Sequence, residues 1–279
     1  MSAVRIHRSQ GFWFGTLNQP QTRNALSPEL IAGLVDLAAQ VKADPQARAL
    51  VLRGAGSFFC AGGSIGGFRE SLAKDAGTDP AADPVVRNNR AFGHFMHTLA
   101  TLPVPLLALV EGGAFGGGVG LACVADWVLA TADARFALSE TTLGVIPAQI
   151  GPFVVARIGA PATRRLGLGG ERATGATAQA LGLVDEVVAD AAALDESAAR
   201  WLTRIGGCSP QANRAMKRLV DDCISGAPRD EVLDRAALAF GECLRGEGAE
   251  GTLAFREKRK PAWTVTLTAD DVRAAFAPT

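Results

Sequence analysis

The chain has 279 residues, 48% of them hydrophobic, and its 28 basic and 28 acidic side chains give a formal net charge of zero. That length supports a substantial core, and the neutral balance excludes the broadly basic surface of a nucleic-acid binder. No apolar run is long enough to cross a membrane, the polar start Met1–Arg5 argues against a signal peptide, and five cysteines without a CxxC pair predict reduced thiols in a cytoplasmic protein, with neither a disulfide framework nor a zinc site.

Residues 4–17 mix Val4, Ile6, Phe12, Trp13, Phe14 and Leu17 around Gly11, which predicts a β-hairpin. A turn-rich loop follows, Asn18-Gln19-Pro20-Gln21-Thr22-Arg23-Asn24-Ala25-Leu26. Ser27 then caps a helix that starts at Pro28, carries the stripe Leu30, Leu34, Leu37 and Val41, and ends at Asp44-Pro45. Residues 49–53 read as a short buried strand. The polar stretch 66–89 reads as a mobile loop, with a frayed helix within it as the alternative, and a helix over 87–102 is stopped by Pro103 and Pro105. Residues 106–110 predict another strand, 118–124 a small-residue helix, and 127–130 a third strand. These strands are too short for a Rossmann sheet. From about residue 190 amphipathic helices take over, at 190–205, 210–222, 229–245 and 247–258. The expected division is a core over residues 1–195 that holds the site and a helical region over 196–279 that packs against neighbouring subunits.

Two glycine loops stand at strand ends. Phe58-Phe59-Cys60-Ala61-Gly62-Gly63-Ser64-Ile65 follows one strand, and Phe115-Gly116-Gly117-Gly118-Val119-Gly120-Leu121 follows the next. Small residues let a ligand approach the backbone and let N–H groups point outward. The second loop opens a helix, so its free N–H groups lie at the positive end of a helix dipole. Two such donors converging on one point make an oxyanion hole, and losing one donor of a comparable site costs about 3 kcal/mol of transition-state stabilisation. Taken singly, each loop is better read as a tight turn with close helix–strand packing. Neither fits GxGxxG or a P-loop lysine motif.

Taken together, the motifs resemble the crotonase (enoyl-CoA hydratase/isomerase) superfamily. The matching runs are Leu17-Asn18-Gln19-Pro20, Phe59-Cys60-Ala61-Gly62-Gly63-Ser64, Gly116-Gly117-Gly118, Ser139-Glu140-Thr141-Thr142-Leu143-Gly144-Val145-Ile146-Pro147, and Glu250-Gly251-Thr252-Leu253-Ala254-Phe255-Arg256-Glu257-Lys258-Arg259-Lys260-Pro261. They lie in the family's order and span nearly the whole chain. The resemblance implies an α/β fold, a spiral of ββα units followed by a C-terminal helical region that builds homotrimers, often paired into hexamers. It implies an acyl-CoA substrate, with coenzyme A carried as part of that substrate and no separate cofactor. Gly63 and Gly117 would supply the oxyanion N–H groups. The backbone at Ala61 and Ile65 would line the adenine pocket, with Gly62 between them also substrate-binding, Arg23 and Ala25 would touch the CoA end, and Phe255 and Lys258 would reach a neighbouring subunit's CoA.

Glu140 sits between Phe136-Ala137-Leu138 and Leu143-Gly144-Val145-Ile146-Pro147. So apolar a setting should raise a carboxylate's pKa and suit it to proton transfer. The alternative is a surface glutamate, or one paired with Arg164 or Arg165. Family hydratases usually carry a second glutamate where this chain has Gly120, which either frees space for a branched acyl chain or packs its helix closely. Ser64 replaces the usual aspartate. Residues 147–153 look more like hydratases acting on methylglutaconyl- or isohexenylglutaconyl-type CoA esters. His94 and His97, at i and i+3, have no further ligands in view and read as ordinary helix residues. Glu111, beside the second loop, is either structural or part of the entrance. The expected activity is hydration of an enoyl-CoA by a single glutamate. Isomerisation of a 3-enoyl to a 2-enoyl ester stands close behind, and a non-catalytic acyl-CoA-binding relative is a further alternative. A serine peptidase of the ClpP type, which shares the spiral, ranks last, since no serine–histidine–aspartate set falls in the matching motifs.

Overall fold

The computed structural model describes residues 2–63 and 78–277. Strands β1 (Val4–Ser9) and β2 (Phe12–Leu17) form the expected antiparallel hairpin, with Val4 opposite Leu17 and Ser9 opposite Phe12. Gln10 and Gly11 both take positive φ to make the two-residue turn. Strands β3 (Ala49–Gly54), β4 (Leu106–Val110), β6 (Trp127–Thr131) and β9 (Glu186–Val188) then add in parallel, giving the order β1-β2-β3-β4-β6-β9. A second layer joins β5 (Gly113–Phe115), β7 (Arg135–Ala137) and β8 (Arg172–Thr174).

A parallel sheet must be covered on both faces, and the alternating side chains of its strands show how. Leu50 and Leu52 of β3, with Leu106, Ala108 and Val110 of β4, point into one cluster. The interleaved Ala49, Val51, Leu107 and Leu109 point into the other. Helix α1 (Pro28–Ala43) covers the first face with Leu30, Leu34, Leu37 and Val41. Ser27 caps it as expected, its side chain accepting from the Leu30 N–H at 3.2 Å. Helices α2 (Pro84–Ala100), α3 (Gly117–Cys123) and α4 (Gly151–Gly169) complete that face. Successive turns of strand, short second-layer strand and helix make the spiral.

The helix expected from about residue 87 starts three residues earlier, at Pro84. Residues 66–77 lie outside the described residues, but 84–89 are helical. Asp83 accepts from the Val85 N–H at 2.7 Å and Pro84 fills the first turn. Cap and proline start α2 before its apolar stripe begins. Helix α4 has no strong sequence signature, because Gly159 (φ +72) and Pro161 break it into two helical segments. After the short α5 (Gly175–Ala180), helix α6 (Ala191–Gly207) covers the second face of the sheet with Leu194, Ala198, Leu202 and Ile205. The closing helix α10 (Ala269–Phe276) joins it through Val272 and Ala275, held by a Thr268–Asp271 capping box.

Helices α7 (Pro210–Ile224), α8 (Arg229–Arg245) and α9 (Glu247–Arg256) stand apart, packing mainly on one another. α7 has no buried residue and is tied to the body by polar contacts. Arg214 donates to the Asp44 and Ala47 carbonyls, each at 2.9 Å, and Lys217 Nζ meets Asp126 Oδ2 at 2.6 Å. Arg214→Ala is expected to lower the stability of the isolated chain by about 1–2 kcal/mol in urea denaturation, with Lys restoring part of it.

Candidate active site

The two glycine loops meet as backbone. Cys60 bridges Ala114 in parallel, its N–H donating to Gly113 O at 3.1 Å while its carbonyl accepts from Phe115 N at 3.0 Å. So close an approach excludes side chains. A Cβ at Gly118 would overlap the Cys60 carbonyl oxygen, and one at Gly62 would lie 2.5 Å from Phe115 O, on a backbone at φ +91. Leu26 bridges Gly63, its N–H donating to Gly62 O at 2.8 Å. In a parallel bridge the partner residue's own N–H turns to the opposite side, so that of Gly63 faces away from Leu26. Gly117 opens α3, and its N–H has no acceptor within that helix. The position of a Gly117 Cβ is 3.7 Å from Gly63 N, so the two amides are neighbours.

The 19–26 loop is stitched onto this pair. Ala61 N donates to Arg23 O at 2.9 Å. Asn24, fully buried at φ +55, donates from Nδ2 to Ala55 O (3.0 Å) and Phe58 O (2.6 Å) and accepts from Gln19 N (2.9 Å). Asn24 is a structural residue that composition alone hides inside a turn-rich run, although an asparagine tolerates positive φ better than most residues.

Glu140 opens a 3-10 turn, Glu140–Leu143, just after β7. Thr141 Oγ1 donates to Gly167 O at 2.7 Å and holds the turn against α4. The Glu140 Oε1 atom lies 3.0 Å from where a Gly116 Cβ would be, so a side chain at Gly116 would crowd the carboxylate. Its Oε2 is buried without a hydrogen-bond partner, and no ion pair forms to Arg164, Arg165 or any other cation among the described residues. Burial pushes the Glu140 carboxyl above its ordinary value, against a lowering backbone hydrogen bond. A half-buried carboxyl without a cation partner among the described residues thus stands beside Gly116, the residue before Gly117.

The position of the missing glutamate is settled in favour of packing. A Cβ at Gly120 would meet Ile150 Cβ at 2.9 Å and Met96 Cε at 3.1 Å, so apolar side chains already occupy that place and it is not open space for an acyl branch. Ile150 and Met96 are buried, and Phe92 Cζ of α2 lies 3.3 Å from the Gly117 Cβ position. These wall residues come from segments distant in sequence, and no local pattern singles them out.

Against this geometry, one family matches the chain. The family described as enoyl-CoA hydratase/isomerase covers residues 8–266. The chain belongs to the enoyl-CoA hydratase/isomerase family. A putative enoyl-CoA hydratase of Thermus thermophilus is 33% identical over 246 residues, 88% of this chain and 94% of that protein. A solved enoyl-CoA hydratase/isomerase from Marinobacter aquaeolei superposes with a TM-score of 0.90 at 39% identity, covering 95% of this chain and 100% of that one. Pseudomonas aeruginosa AtuE gives 0.89 at 44% identity, covering 94% and 100%. The crotonase spiral and a family activity on acyl-CoA therefore stand as the sequence motifs implied.

In this enoyl-CoA hydratase/isomerase chain, Gly63 bridges Leu26, the residue after Ala25, while a Cβ at Gly62 would lie 3.3 Å from Gly117 N and Glu140 lies at Gly116; Ala61 donates to Arg23 O, Arg23 lies over the Phe58 ring at 5.6 Å, and Gly120 backs onto Ile150 and Met96 instead. Ile65 and Ser64 lie outside the described residues. Phe255 is 86% exposed on α9, and Lys258 follows at φ +55. Phe255 lies on α9 and Lys258 in the turn just after it, among the helices that stand apart from the sheet. Glu111 is structural on this geometry, since Arg53 Nε meets its Oε2 at 2.6 Å and Arg53 Nη1 meets Asp195 at 2.7 Å. The cavity of about 590 Å³ over these charges is lined by Glu111, Asp195 and Arg273 and not by Glu140. Among the described residues no group of three potential ligands could hold a metal, and no helix is long and apolar enough to cross a membrane. Cys60 is buried and pushed up to about 12, an unreactive thiol.

Two variants check the site's construction. Gly62→Ala should cost about 3 kcal/mol or more, from backbone strain and the clash with Phe115 O. Glu140→Gln should raise the unfolding midpoint at neutral pH. The folded carboxyl titrates above its unfolded value, so wild-type stability is full below the unfolded pKa and is lost as pH rises through the folded one. The gain should therefore shrink on acidification, as thermal unfolding at a series of pH values would show.

Proposed function

We propose that the chain binds an enoyl-CoA with its thioester oxygen between the Gly63 and Gly117 N–H groups and that Glu140 moves the proton. The observation that carries this reading is the unpaired Glu140 carboxyl beside Gly116, next to two adjacent backbone donors. The donors would stabilise the enolate oxygen as charge develops. Glu140 would then activate water for addition to a 2-enoyl ester, taking a proton from the water and passing one to the α-carbon. Coenzyme A is part of the substrate, so no separate cofactor is needed, with its adenine held by the backbone at Ala61 and its outer end near Arg23 and Ala25. The branched acyl group remains a proposal that rests on the resemblance of residues 147–153, not on space at Gly120.

A second reading is supported by Ile150 and Met96. They take the place where a second acid would stand, which favours a one-carboxylate shift of a 3-enoyl double bond. Straight and branched 2-enoyl and 3-enoyl esters separate the two: water addition to the 2-enoyl esters alone supports hydration, and conversion of 3-enoyl esters supports isomerisation. Binding of every ester without turnover would point to a non-catalytic acyl-CoA-binding relative. Glu140→Gln should lower kcat by about 10²–10⁴-fold. The acidic limb of the wild-type pH–rate profile should lie above the ordinary carboxylate value, as burial requires.

The helical region is proposed to assemble the chain into a homotrimer, with pairing into a hexamer as the next level. Met216, Val220 and Ile224 form an exposed stripe along α7, and Leu238, Phe240 and Phe255 are more than two-thirds exposed on α8 and α9. Surface this apolar calls for a partner, and a second copy would place Phe255 and Lys258 at a neighbour's CoA. Sedimentation should show a trimer or hexamer for wild type and monomers for Leu238→Glu with Phe240→Glu.

A further inference from the structure

The alternation that turns Ala49, Val51, Leu107 and Leu109 towards α6 turns Arg53 and Glu111 the same way. They are the last side chains of that face before the two glycine loops begin. Arg53 Nε meets Glu111 Oε2 at 2.6 Å, and its Nη1 meets Asp195 Oδ1 of α6 at 2.7 Å. Asp195 turns its other oxygen to Arg273 of α10, 3.4 Å from its Nε. The Arg53, Glu111 and Asp195 side chains are only 13, 10 and 5% exposed. Apolar side chains could replace so buried a network at no loss of stability, and often with a gain. Stability therefore does not account for it.

The residues that follow do. Gly54 and Gly112 come next in the two chains, and both press on the backbone of the first loop. A Cβ at Gly54 would overlap Phe58 O, and one at Gly112, where φ is +64, would overlap Ser57 O. A glycine offers little torsional resistance, so the direction in which each loop leaves its strand has to be fixed by the residue before it. Glu111 is also the joint of the two loops. Its carbonyl accepts from Phe59 N at 2.9 Å and from Gly113 N at 2.6 Å. Phe59 stands four residues before Gly63, and Gly113 four before Gly117.

We infer that Arg53, Glu111 and Asp195 are positioning residues that set the spacing of the Gly63 and Gly117 N–H groups from behind. The ion pair across the ends of β3 and β4 holds both loop origins, and Asp195 anchors it to α6 and α10. This rests on the oxyanion reading of the two amides. The planar guanidinium holds two carboxylates in fixed directions, which the ammonium of a lysine does poorly.

A conjugated thioester tests this without turnover, because its absorption moves to longer wavelength as its carbonyl is polarised. Cinnamoyl-CoA would be titrated into wild type, Arg53→Lys, and the double variant Arg53→Met with Glu111→Gln. The double variant leaves no buried charge alone, since Asp195 keeps Arg273. At saturation the wild-type band should be red-shifted, and the double variant should lose about half of that shift or more. Arg53→Lys should fall between them. Kd for cinnamoyl-CoA and for free CoA should stay within about threefold of wild type. A full shift in the folded double variant would overturn the inference. Should that variant not fold, a full shift in Arg53→Lys overturns it equally. Weaker binding of free CoA in step with the lost shift would also overturn it, by assigning the network to the CoA moiety. Wild type that binds the ester without any red shift would instead sink the oxyanion reading.

Discussion

The pairing of two loop backbones at the ends of β3 and β4 is the constraint on which the site depends. Cys60 donates to Gly113 O and accepts from Phe115 N as a strand neighbour would, and the second chain turns into α3 just beyond that contact. The approach is possible only because Gly62 and Gly118 have no side chain to interpose. Once the pairing forms, Leu26 fixes the first loop from its other side, and the amides of Gly63 and Gly117 are left close together and uncommitted. Preorganised donors of this kind need no rearrangement when charge appears, the property that makes such geometry useful for catalysis. The glycines that read singly as packing devices are packing devices, and the exposed N–H groups are a consequence of that packing.

Glu140 shows the opposite economy. The fold holds its carboxyl half-buried, without a cation and with one oxygen unbonded. A backbone hydrogen bond favours its charge but burial outweighs it, so its position works against stability at neutral pH. Groups placed against the interest of stability are the ones expected at functional sites. Ile150 and Met96 fill the Gly120 position, so no second acid stands there beside this carboxyl.

Two kinds of apolar exposure follow from the architecture. Leu143, Val145 and Ile146 are exposed immediately after Glu140, at the edge of the site. The stripes of α7, α8 and α9 lie far along the chain on helices that contribute little to the sheet's two cores. α6 and α10, by contrast, supply the second core. The helical end of the chain therefore divides into helices that complete the subunit and helices whose apolar surface is left for another molecule.

Much of this was legible from residue order. The hairpin, α1 with its Ser27 cap, the short apolar strands and the two glycine loops carry local signals of alternation, capping and turn chemistry. The ordered motifs place the chain in its family, and the apolar run around Glu140 marks it as a perturbed carboxyl. The sequence alone left α4 unread, because Gly159 and Pro161 interrupt its helical pattern, and it left the start of α2 unread, because Asp83 and Pro84 act before the apolar stripe begins. Only the tertiary structure decided whether Gly120 opens a pocket, since the answer depends on Ile150 and Met96, one 30 residues later and one 24 earlier. It likewise paired Glu111 with Arg53. Side chains that meet across a spiral leave no periodic trace in either segment, so local order sets the elements and the loops, while contact between turns sets the walls of the site.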